Sequence, residues 1–454
     1  IILLLSPLLA SLVSLFGKFF SPRFTVFPAF AIWFLGTVWA LFVSGATILS
    51  GATLVYSVGG WAEPFGIALE ITGVTWIATI ADLLIGTAAW LQTRRSPRYN
   101  PLFYFFFFLA LFSLQGILYT RDLFNLFVWF EVLSLSSFML ITYHRGPRTY
   151  QAALRYLLIS TVSIVFFLFG VWVLYHQFGS LSLETIARTT EGLSPANSCT
   201  TTVLSTVSFL HPQTNTVGLA IALITAGILT RAAVVPFHTW LPEAHAAAPY
   251  PVSALLSGFV IKTPMLALCR IFEYVSFPPI RHFLVLLGCI CALVGVLMAM
   301  VQKDAKKLLG YHSISQMGYI VAAFGIGGIA GQTASLFYII GHALFKSLLF
   351  FTVGLVTESL LDRNVYTVRG LGRYFPLTTL LFGVAAFSIS GVPLFAGFTG
   401  KLLVSKVITE QYLSIILTAS GIGTVASFFK LSRIFTGKHI DQSDRPPLRK
   451  HIGT

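Results

Sequence analysis

Long apolar segments occupy most of this chain, and they constrain its fold more than any other feature of the sequence. An α-helix needs about 20 apolar residues to cross the ~30 Å hydrocarbon layer of a bilayer. The sequence contains thirteen segments of this kind. Only 10% of the 454 residues are charged, against roughly 25% in soluble domains. The sequence therefore excludes a soluble enzyme and predicts an all-α integral membrane protein. The predicted segments are approximately 1–16, 24–45, 71–92, 101–118, 121–142, 151–176, 217–241, 249–270, 282–301, 307–328, 332–356, 375–400 and 409–436.

Two stretches interrupt the apolar pattern. Residues 51–70 contain Gly59, Gly60 and Pro64 between short β-like runs, which predicts an extramembrane hairpin. Residues 177–216 are rich in Ser and Thr and are expected to form the longest loop. From this pattern we expect four parts, which are N-terminal helices with the hairpin (1–100), two five-helix units (101–276 and 282–436), and a polar C-terminal segment (437–454) that leads towards a last helix missing from this sequence.

The positions of the basic loop residues predict the orientation of the chain. Eighteen of the 29 Lys and Arg residues fall in loops on one side of the predicted membrane, and six fall on the other. By the positive-inside rule the richer side is cytoplasmic, so we expect the N-terminus outside and residue 454 inside. The net charge of +14 is thus explained by topology and membrane lipids, and it does not indicate a nucleic-acid partner.

Ionisable side chains also lie inside the apolar segments, where a charge costs from about 3 to more than 10 kcal/mol unless it is paired or hydrated. Glu131 lies ten residues past Arg121, which puts it about 15 Å deep by the helical rise. We interpret Glu131 as a proton-relay carboxylate, with a structural ion pair between two helices as the alternative. The other ionisable residues in such positions are Asp82, Arg155, Arg231, Lys262, His312, His342, Lys346 and Lys430.

Two predicted helices contain residues that break helical backbone. Pro236 follows Arg231 by five residues and cannot donate a hydrogen bond to Ala232, so we expect the helix to unwind there. The second break lies in 388–401, where Gly and Pro precede Lys401. The broken helix is the fourth in each group of five, and groups of five have opposite orientation. This order predicts an inverted repeat with transport sites at the broken helices.

The residue types suggest different roles. Lys262 lies beside Pro264, and a buried lysine can lose its proton, whereas an arginine such as Arg231 stays charged. His312 and His342 could pass protons along a hydrated file, although a buried, satisfied histidine is the alternative for both. For Arg155 and Lys430 the alternative is a side chain that reaches the membrane interface.

The sequence offers little for a metal or a cofactor. His238, Glu243 and His245 fit no zinc spacing, so His238 remains only as a candidate residue of the broken helix. The four cysteines show no metal-type spacing either. Because no iron–sulfur, flavin or nucleotide motif is present, we expect no cofactor. If redox chemistry drives the protein, a partner subunit supplies it.

Five stretches together resemble the antiporter-like membrane subunits of respiratory complex I, of Mrp-type sodium/proton antiporters and of membrane-bound energy-converting hydrogenases. The resemblance is nearest to the Mrp D and hydrogenase types, and it covers roughly residues 50–436. The stretches are TRDLFNLFVWFEVLS (120–134), VPFHTWLPEAH (235–245), PVSALLSG (251–258), YHSISQMGY (311–319) and GHALFK (341–346).

The resemblance implies a fourteen-helix fold with two inverted units, each holding a discontinuous helix, and a chain of charged residues at mid-membrane. It implies that Glu131 pairs with a basic residue on the seventh helix, that Lys262 is a second carrier and that Lys401 ends the chain. His312, His342 and Lys346 match relay positions. Arg231 and Arg155 depart from the family, because lysine is usual at both positions. We therefore expect Arg231 to act as a counter-charge.

The function predicted from these features is ion translocation by one subunit of a larger membrane complex, driven by redox chemistry or of the Mrp type. The transported ion is the proton, and sodium exchange remains open. Expected partners are other antiporter-like and small membrane subunits and, for a redox-driven complex, a peripheral redox arm. The alternatives are a stand-alone antiporter or inorganic-carbon uptake module, a quinone-binding subunit and a purely structural anchor.

Overall fold

The computed structural model describes residues 1–18, 22–94, 96–190, 214–275, 278–360 and 362–436, and most of these residues are helical. Two short strands, β1 (Leu54–Ser57) and β2 (Ala68–Ile71), lie between the second and third helices. The helices are α1 (Ile2–Leu15), α2 (Pro22–Leu49), α3 (Gly73–Thr93), α4 (Pro101–Tyr119), α5 (Leu123–Ile141), α6 (Pro147–Phe178), α7 (Leu183–Thr190), α8 (Thr214–Arg231), α9 (Trp240–Ala247), α10 (Tyr250–Leu255), α11 (Thr263–Tyr274), α12 (Arg281–Val301), α13 (Ala305–Ile326), α14 (Gly328–Leu360), α15 (Pro376–Ser390), α16 (Ala396–Val407) and α17 (Gln411–Thr436).

The helices have the lengths and surfaces of membrane spans. Within the described ranges, nine helices are long and apolar enough to cross a membrane. Large apolar side chains such as Phe42 and Phe429 point outwards, as expected for contact with lipid. The chain is an integral, multi-pass, all-α membrane protein, so this prediction is confirmed. Each apolar segment read from the sequence corresponds to one helix or to a broken one.

The predicted hairpin is present and is fixed to the helix ends beside it. Strands β1 and β2 pair antiparallel, and the amide of Arg121 donates to the Ala68 carbonyl (2.9 Å). The Glu70 carboxylate lies 3.2 Å from Arg121 Nε and 3.9 Å from Arg270 Nη2. Burial alone lowers the pKa of Arg121, but its hydrogen bond to Tyr274 and the nearby carboxylates raise that pKa overall. We call this end of the molecule the hairpin end.

Both predicted breaks are present. Helix α8 ends at Arg231, and α9 begins only at Trp240. Helix α15 ends at Ser390, followed by Gly391 with φ +82°, a backbone conformation that favours glycine. A third interruption lies between α10 and α11, where Leu256–Val260 form one π-helical turn before the chain resumes helical geometry at Thr263. The sequence indicated disturbed helix around Pro264 but not the π turn itself.

The order of elements matches the expected repeat. If the short helix α7 is left out, the broken pair α8/α9 is fourth in the series that starts at α4. The broken pair α15/α16 is likewise fourth in the series that starts at α12. The division of the chain at residues 100, 276 and 282 stays a prediction, and the polar segment 437–454 lies outside the described residues.

Close helix packing positions the polar residues of the second series. A Cβ atom at Gly288 of α12 would overlap the backbone at Ala322 of α13, and one at Gly318 would overlap Ala292. Small residues of this kind let membrane helices approach closely. As a result α13, which carries His312, is buried along most of its length.

Candidate functional site

Glu131 and Arg231 form an ion pair between α5 and the end of α8. Arg231 Nη2 lies 3.2 Å from Glu131 Oε1, while Nη1 donates to Ser134 Oγ (2.7 Å) and to the Phe130 carbonyl (3.1 Å). The guanidinium also lies 4.8 Å from the centroid of the Phe130 ring. A cation at the last turn of α8 is favoured by the helix dipole. Arg231 is therefore held in one place by several contacts.

The two members of this pair differ in exposure. The Arg231 side chain is 6% exposed, whereas 39% of the Glu131 side chain is exposed on the surface of the single chain. On the same face of α5, the apolar side chains of Phe124, Val128 and Leu135 are exposed as well. Glu131 is thus a partly exposed acid about 12 Å from the start of its helix.

Lys262 is fully buried between the π turn and α11. Its Nζ donates to the carbonyl of Ser257 inside the π turn, so the amine points back along the chain towards α10. The hydroxyl of Ser257 in turn lies 2.9 Å from the hydroxyl of Ser313 on α13. The irregular turn thereby places a lysine and a serine pair next to the second series of helices.

Lys346 and His342 lie one turn apart on α14 and are both fully buried. Within the described part of the chain, Lys346 Nζ and both ring nitrogens of His342 have no hydrogen-bond partner. Lys346 Nζ lies 5.7 Å from the centroid of the Phe350 ring. Buried polar atoms are nearly always hydrogen-bonded, so these unpartnered atoms make Lys346 and His342 candidates for a functional site.

His312 links α13 to α17. Its Nε2 lies 2.6 Å from Ser427 Oγ, and its Nδ1 has no partner among the described residues. One turn further on, the hydroxyl of Ser315 lies 3.3 Å from that of Ser420. A row of hydroxyl groups therefore runs beside the histidine between the two helices.

Lys401 lies at the second break. Its Nζ donates to the Ile389 carbonyl (2.8 Å), at the end of α15, and is 5.5 Å from the centroid of the Tyr319 ring. The ring of Tyr319 packs against that of Tyr338, whose hydroxyl donates to Gln316 Oε1. Like Arg231 at the end of α8, Lys401 places a cation at the carbonyl end of the first half-helix.

Five of the sequence-predicted residues lie close together in the bundle, since His342 is near enough to Lys262, Lys346, Lys401 and His312 to interact with them electrostatically. The pair Glu131–Arg231 lies on α5 and α8. Lys262 directly precedes α11, and the Ser257–Ser313 contact joins the π turn before it to the helix of His312. Lys346 and His342 follow on α14, and Lys401 ends the row. We refer to Glu131, Arg231, Lys262, His312, His342, Lys346 and Lys401 as the polar row.

Arg155 does not belong to the polar row. Its side chain is 55% exposed, and Nη1 lies 2.5 Å from Glu243 Oε2. It lines a wide basic cavity of about 1230 Å³ together with residues such as Lys303 and Arg363. Arg155 is therefore not a charge buried at mid-membrane, because it lies on the face of α6 that borders this cavity and reaches Glu243 there.

His238 also has no described contact with the polar row. It lies half-buried in the irregular segment between α8 and α9, with Nδ1 unpartnered among the described residues.

Lys430 donates to the carbonyls of Met300 (2.6 Å) and Gln302 (2.8 Å) at the end of α12. That geometry fits the interfacial interpretation of Lys430.

Two buried groups were missed from the sequence. The predicted segment 307–328 leaves Lys306 in the preceding loop, but Lys306 is buried at the start of α13 and donates to the Ala248 carbonyl (2.8 Å). His245 was weighed only as a metal ligand, yet it is fully buried against Phe350 and both ring nitrogens lack a partner in the described ranges. Its position beside a broken helix was the signal available. Among the described residues no group of three potential ligands is placed to hold a metal ion.

Comparison with known proteins gives consistent matches. The family described as "NADH:quinone oxidoreductase/Mrp antiporter, TM" matches residues 120–427. The chain is 34% identical over 390 residues to NADH-quinone oxidoreductase subunit N of Desulforudis audaxviator, covering 83% of this chain and 74% of that protein. It is 29% identical over 386 residues to the D-type subunit of the Na(+)/H(+) antiporter of Alkalihalophilus pseudofirmus, covering 83% and 75%.

A solved structure shares the fold. A chain of the membrane-bound sulfane sulfur reductase, an archaeal respiratory membrane complex, aligns with a TM-score of 0.85 at 24% identity, over 97% of this chain and 88% of that one. At that level of identity the match concerns the fold alone.

Proposed function

Because the chain belongs to the NADH:quinone oxidoreductase/Mrp antiporter transmembrane family, we propose that it moves protons along the polar row as one subunit of a multisubunit membrane complex. The resemblance read from the sequence is thus confirmed, and the chain is an antiporter-like membrane subunit. The identity of the ion, the role of each residue and the type of complex are parts of the proposal.

The observation that carries the proposal is the burial of Lys262 and Lys346 without carboxylate partners. Both side chains are fully buried, and neither takes part in an ion pair within the described residues. A buried charge that merely holds helices together is expected to be paired, because an unpaired one is strongly destabilising. Two lysines that lack acidic partners are better explained as sites whose protons come and go.

Arg231 is proposed as a fixed counter-charge. It stays protonated in proteins, and its contacts with Glu131, Ser134 and Phe130 hold it in place. The pair can therefore attract or repel a proton at Lys262 without passing one through the guanidinium. Proton movement is assigned to Lys262, His312, His342, Lys346 and Lys401.

The exposed side of Glu131 supports a partner subunit at this face. A carboxylate facing hydrocarbon is costly, and its neighbours Phe124 and Val128 are exposed apolar residues. We propose that another membrane protein of the complex covers this face of α5. The structural neighbour in the sulfane sulfur reductase is itself a chain of a multisubunit complex.

The orientation is proposed from the charges of the loops. Arg98, Arg148, Lys303, Lys307 and Arg363 line the basic cavity at the end opposite to the hairpin. By the positive-inside rule that end faces the cytoplasm, which places the N-terminus and the hairpin outside. An accessibility assay with single cysteines at exposed loop positions would test this assignment.

Proton flux in membrane vesicles tests the function. The chain is expressed with its neighbouring subunits, and a pH-sensitive dye reports proton movement after addition of NADH or of sodium chloride. We expect Lys262→Met to lower the flux at least about tenfold, since a positioned proton carrier contributes typically 10²–10⁴ in rate. Lys406→Met, the same change at an exposed lysine of α16, should leave it unchanged.

The two additions separate the types of complex. Flux that requires the electron donor supports a redox-driven complex, and flux that requires sodium supports an antiporter. Wild-type flux in Lys262→Met under both conditions would contradict the proposal.

A further inference from the structure

Asp82 on α3 is a second acid inside the membrane region, and it lies outside the polar row. It is fully buried, and neither carboxyl oxygen has a hydrogen-bond partner in the described part of the chain. The amide of Gln115 on α4 lies beside it but outside hydrogen-bonding geometry, and both amide atoms are also without partners there. An ionisable residue in this position is a functional-site candidate.

Asp82 lies at the same depth as Lys262. A Cβ at Gly258 would lie 3.1 Å from Ile85 Cδ1, so α3 and the π turn touch at this level. Both segments run between the same two ends, because Arg270 donates to the Glu70 carbonyl at the hairpin end. At a rise of ~1.5 Å per residue along the helix axis, Asp82 lies about 4.5 Å closer to the hairpin end than Ile85. Lys262 likewise lies about 6 Å closer to that end than Gly258. The two therefore differ in depth by about 1.5 Å.

A pair of hydroxyl groups continues from Asp82 towards the hairpin end. One turn along, Thr79 Oγ1 on α3 lies 2.5 Å from the Tyr119 hydroxyl on α4. Thr79 donates to the Thr75 carbonyl (2.8 Å), so Tyr119 donates to Thr79. Both side chains are buried, and Tyr119 is near enough to Asp82 to interact electrostatically.

A small cavity follows the hydroxyl pair. It has a volume of about 30 Å³ and is lined by Thr72 and Thr75 of the α3 start, Ile117 of α4, and Arg270 and Glu273 of α11. A space of this size holds one water molecule, and its polar lining offers that molecule partners. The cavity adjoins the charged groups that fix the hairpin.

We propose that Asp82 is a proton-carrying residue of a branch that connects Lys262 with the hairpin end through Tyr119, Thr79 and this cavity. The inference rests on the proposed function, in which Lys262 carries a proton. None of these residues belongs to the polar row. We refer to Asp82, Gln115, Tyr119 and Thr79 as the α3–α4 branch.

The transfer is a sequence of proton movements without electron transfer. An N–H bond of the Lys262 ammonium breaks as an O–H bond forms on the Asp82 carboxylate, leaving an amine and a carboxylic acid. The acid then gives its proton to the Tyr119 oxygen as Tyr119 gives its own proton to Thr79, and Thr79 turns from the Thr75 carbonyl and gives its own proton to water at the cavity. Lys262 now points to the Ser257 carbonyl, so rotation of its side chain towards α3 is the movement that connects the branch.

Substitution of Asp82 by an amide of equal size tests the branch. In the vesicle assay, Asp82→Asn is expected to lower proton flux about tenfold or more, as for loss of a positioned proton carrier, and Tyr119→Phe to lower it several-fold. Glu410→Gln is the control, because it makes the same type of change at an exposed acid. Wild-type flux in Tyr119→Phe and Asp82→Asn would overturn the proposal.

An infrared measurement keeps the test open if Asp82→Asn fails to assemble. The wild-type complex is titrated, and the C=O band of a protonated buried carboxylic acid is followed. We expect this band to shift in Tyr119→Phe and to remain in Glu131→Gln. In Asp82→Asn, where that variant assembles, the band should be absent. A spectrum that Tyr119→Phe leaves unchanged would overturn the assignment.

The outcome also separates this inference from the function. If Lys262→Met abolishes flux while Asp82→Asn does not, the branch is wrong and the polar row stands. If neither change affects flux, the proposed function itself is wrong.

Discussion

Arg231 Nη2 lies 3.2 Å from Glu131 Oε1 and joins α5 to the end of α8. Because a guanidinium keeps its proton, the pair supplies a fixed positive charge beside an acid. We predict that Arg231→Lys keeps at least half of the proton flux, since a lysine can still pair with Glu131. Arg231→Met leaves the acid without its partner and should lower flux about tenfold. The vesicle assay measures both, and near-normal flux in Arg231→Met would contradict the counter-charge role.

The His312–Ser427 contact gives a second prediction. Ser427 Oγ is the one described partner of His312 Nε2, at 2.6 Å. Ser427→Ala removes a hydrogen bond worth about 1 kcal/mol, which orients the imidazole, and should lower flux roughly fivefold. Ser432→Ala, at an exposed serine of the same helix, is the matched control. Equal flux in the two variants would show that the orientation of His312 is unimportant.

Most of the helices could be predicted from the sequence, because apolar segments of bilayer length have one outcome in a membrane. The breaks at Pro236 and Gly391 could also be predicted, because proline and glycine alter backbone geometry directly. The depth and exposure of single charges were less predictable. Arg155 is exposed, because its face of α6 borders the basic cavity. Lys306 is buried, because its helix begins at Ala305, before the start predicted from the sequence.

The π turn at Leu256–Val260 illustrates a second limit. Its neighbour Pro264 indicated irregular backbone, but the carbonyl that accepts from Lys262 is set by packing against α13 and α14. Tertiary contacts of this kind leave no periodic signal in one sequence. The same holds for the exposed face of Glu131, which depends on what lies beside α5.

Gly391 gives a prediction about the second break. Its φ of +82° is unfavourable for residues with a Cβ, and a Cβ there would lie 3.2 Å from Lys401 Cδ. Gly391→Ala is expected to destabilise the chain by about 1 kcal/mol or more. Gly383→Ala lies inside α15, with nothing within 4 Å of the added Cβ, and should be stabilising because alanine favours helix. Thermal unfolding of the purified complex in detergent compares the two, and equal melting temperatures would argue against strain at Gly391.

Arg155 allows the corrected assignment to be tested. Its ion pair with Glu243 is largely exposed, and such pairs contribute about 0–1 kcal/mol. We predict that Arg155→Met changes proton flux by less than about twofold, because the ion pair contributes little stability and Arg155 lies outside the polar row. A loss of flux comparable to that of Lys262→Met would instead place Arg155 in the proton route.

The thermal stability of a Lys346 variant distinguishes a transport role of this residue from a structural one. Its Nζ is fully buried, with no partner among the described residues, so the amine contributes a cost to folding and no compensating contact apart from the Phe350 ring. A buried donor that lacks a hydrogen-bond partner costs about 1–3 kcal/mol, and an apolar side chain of similar volume removes that cost. We therefore predict that Lys346→Met raises the melting temperature of the complex while it abolishes proton flux. Lys406→Met, at an exposed position, should change neither quantity. If Lys346 were an anchor between helices, its replacement would lower the melting temperature and leave flux proportional to the amount of assembled complex.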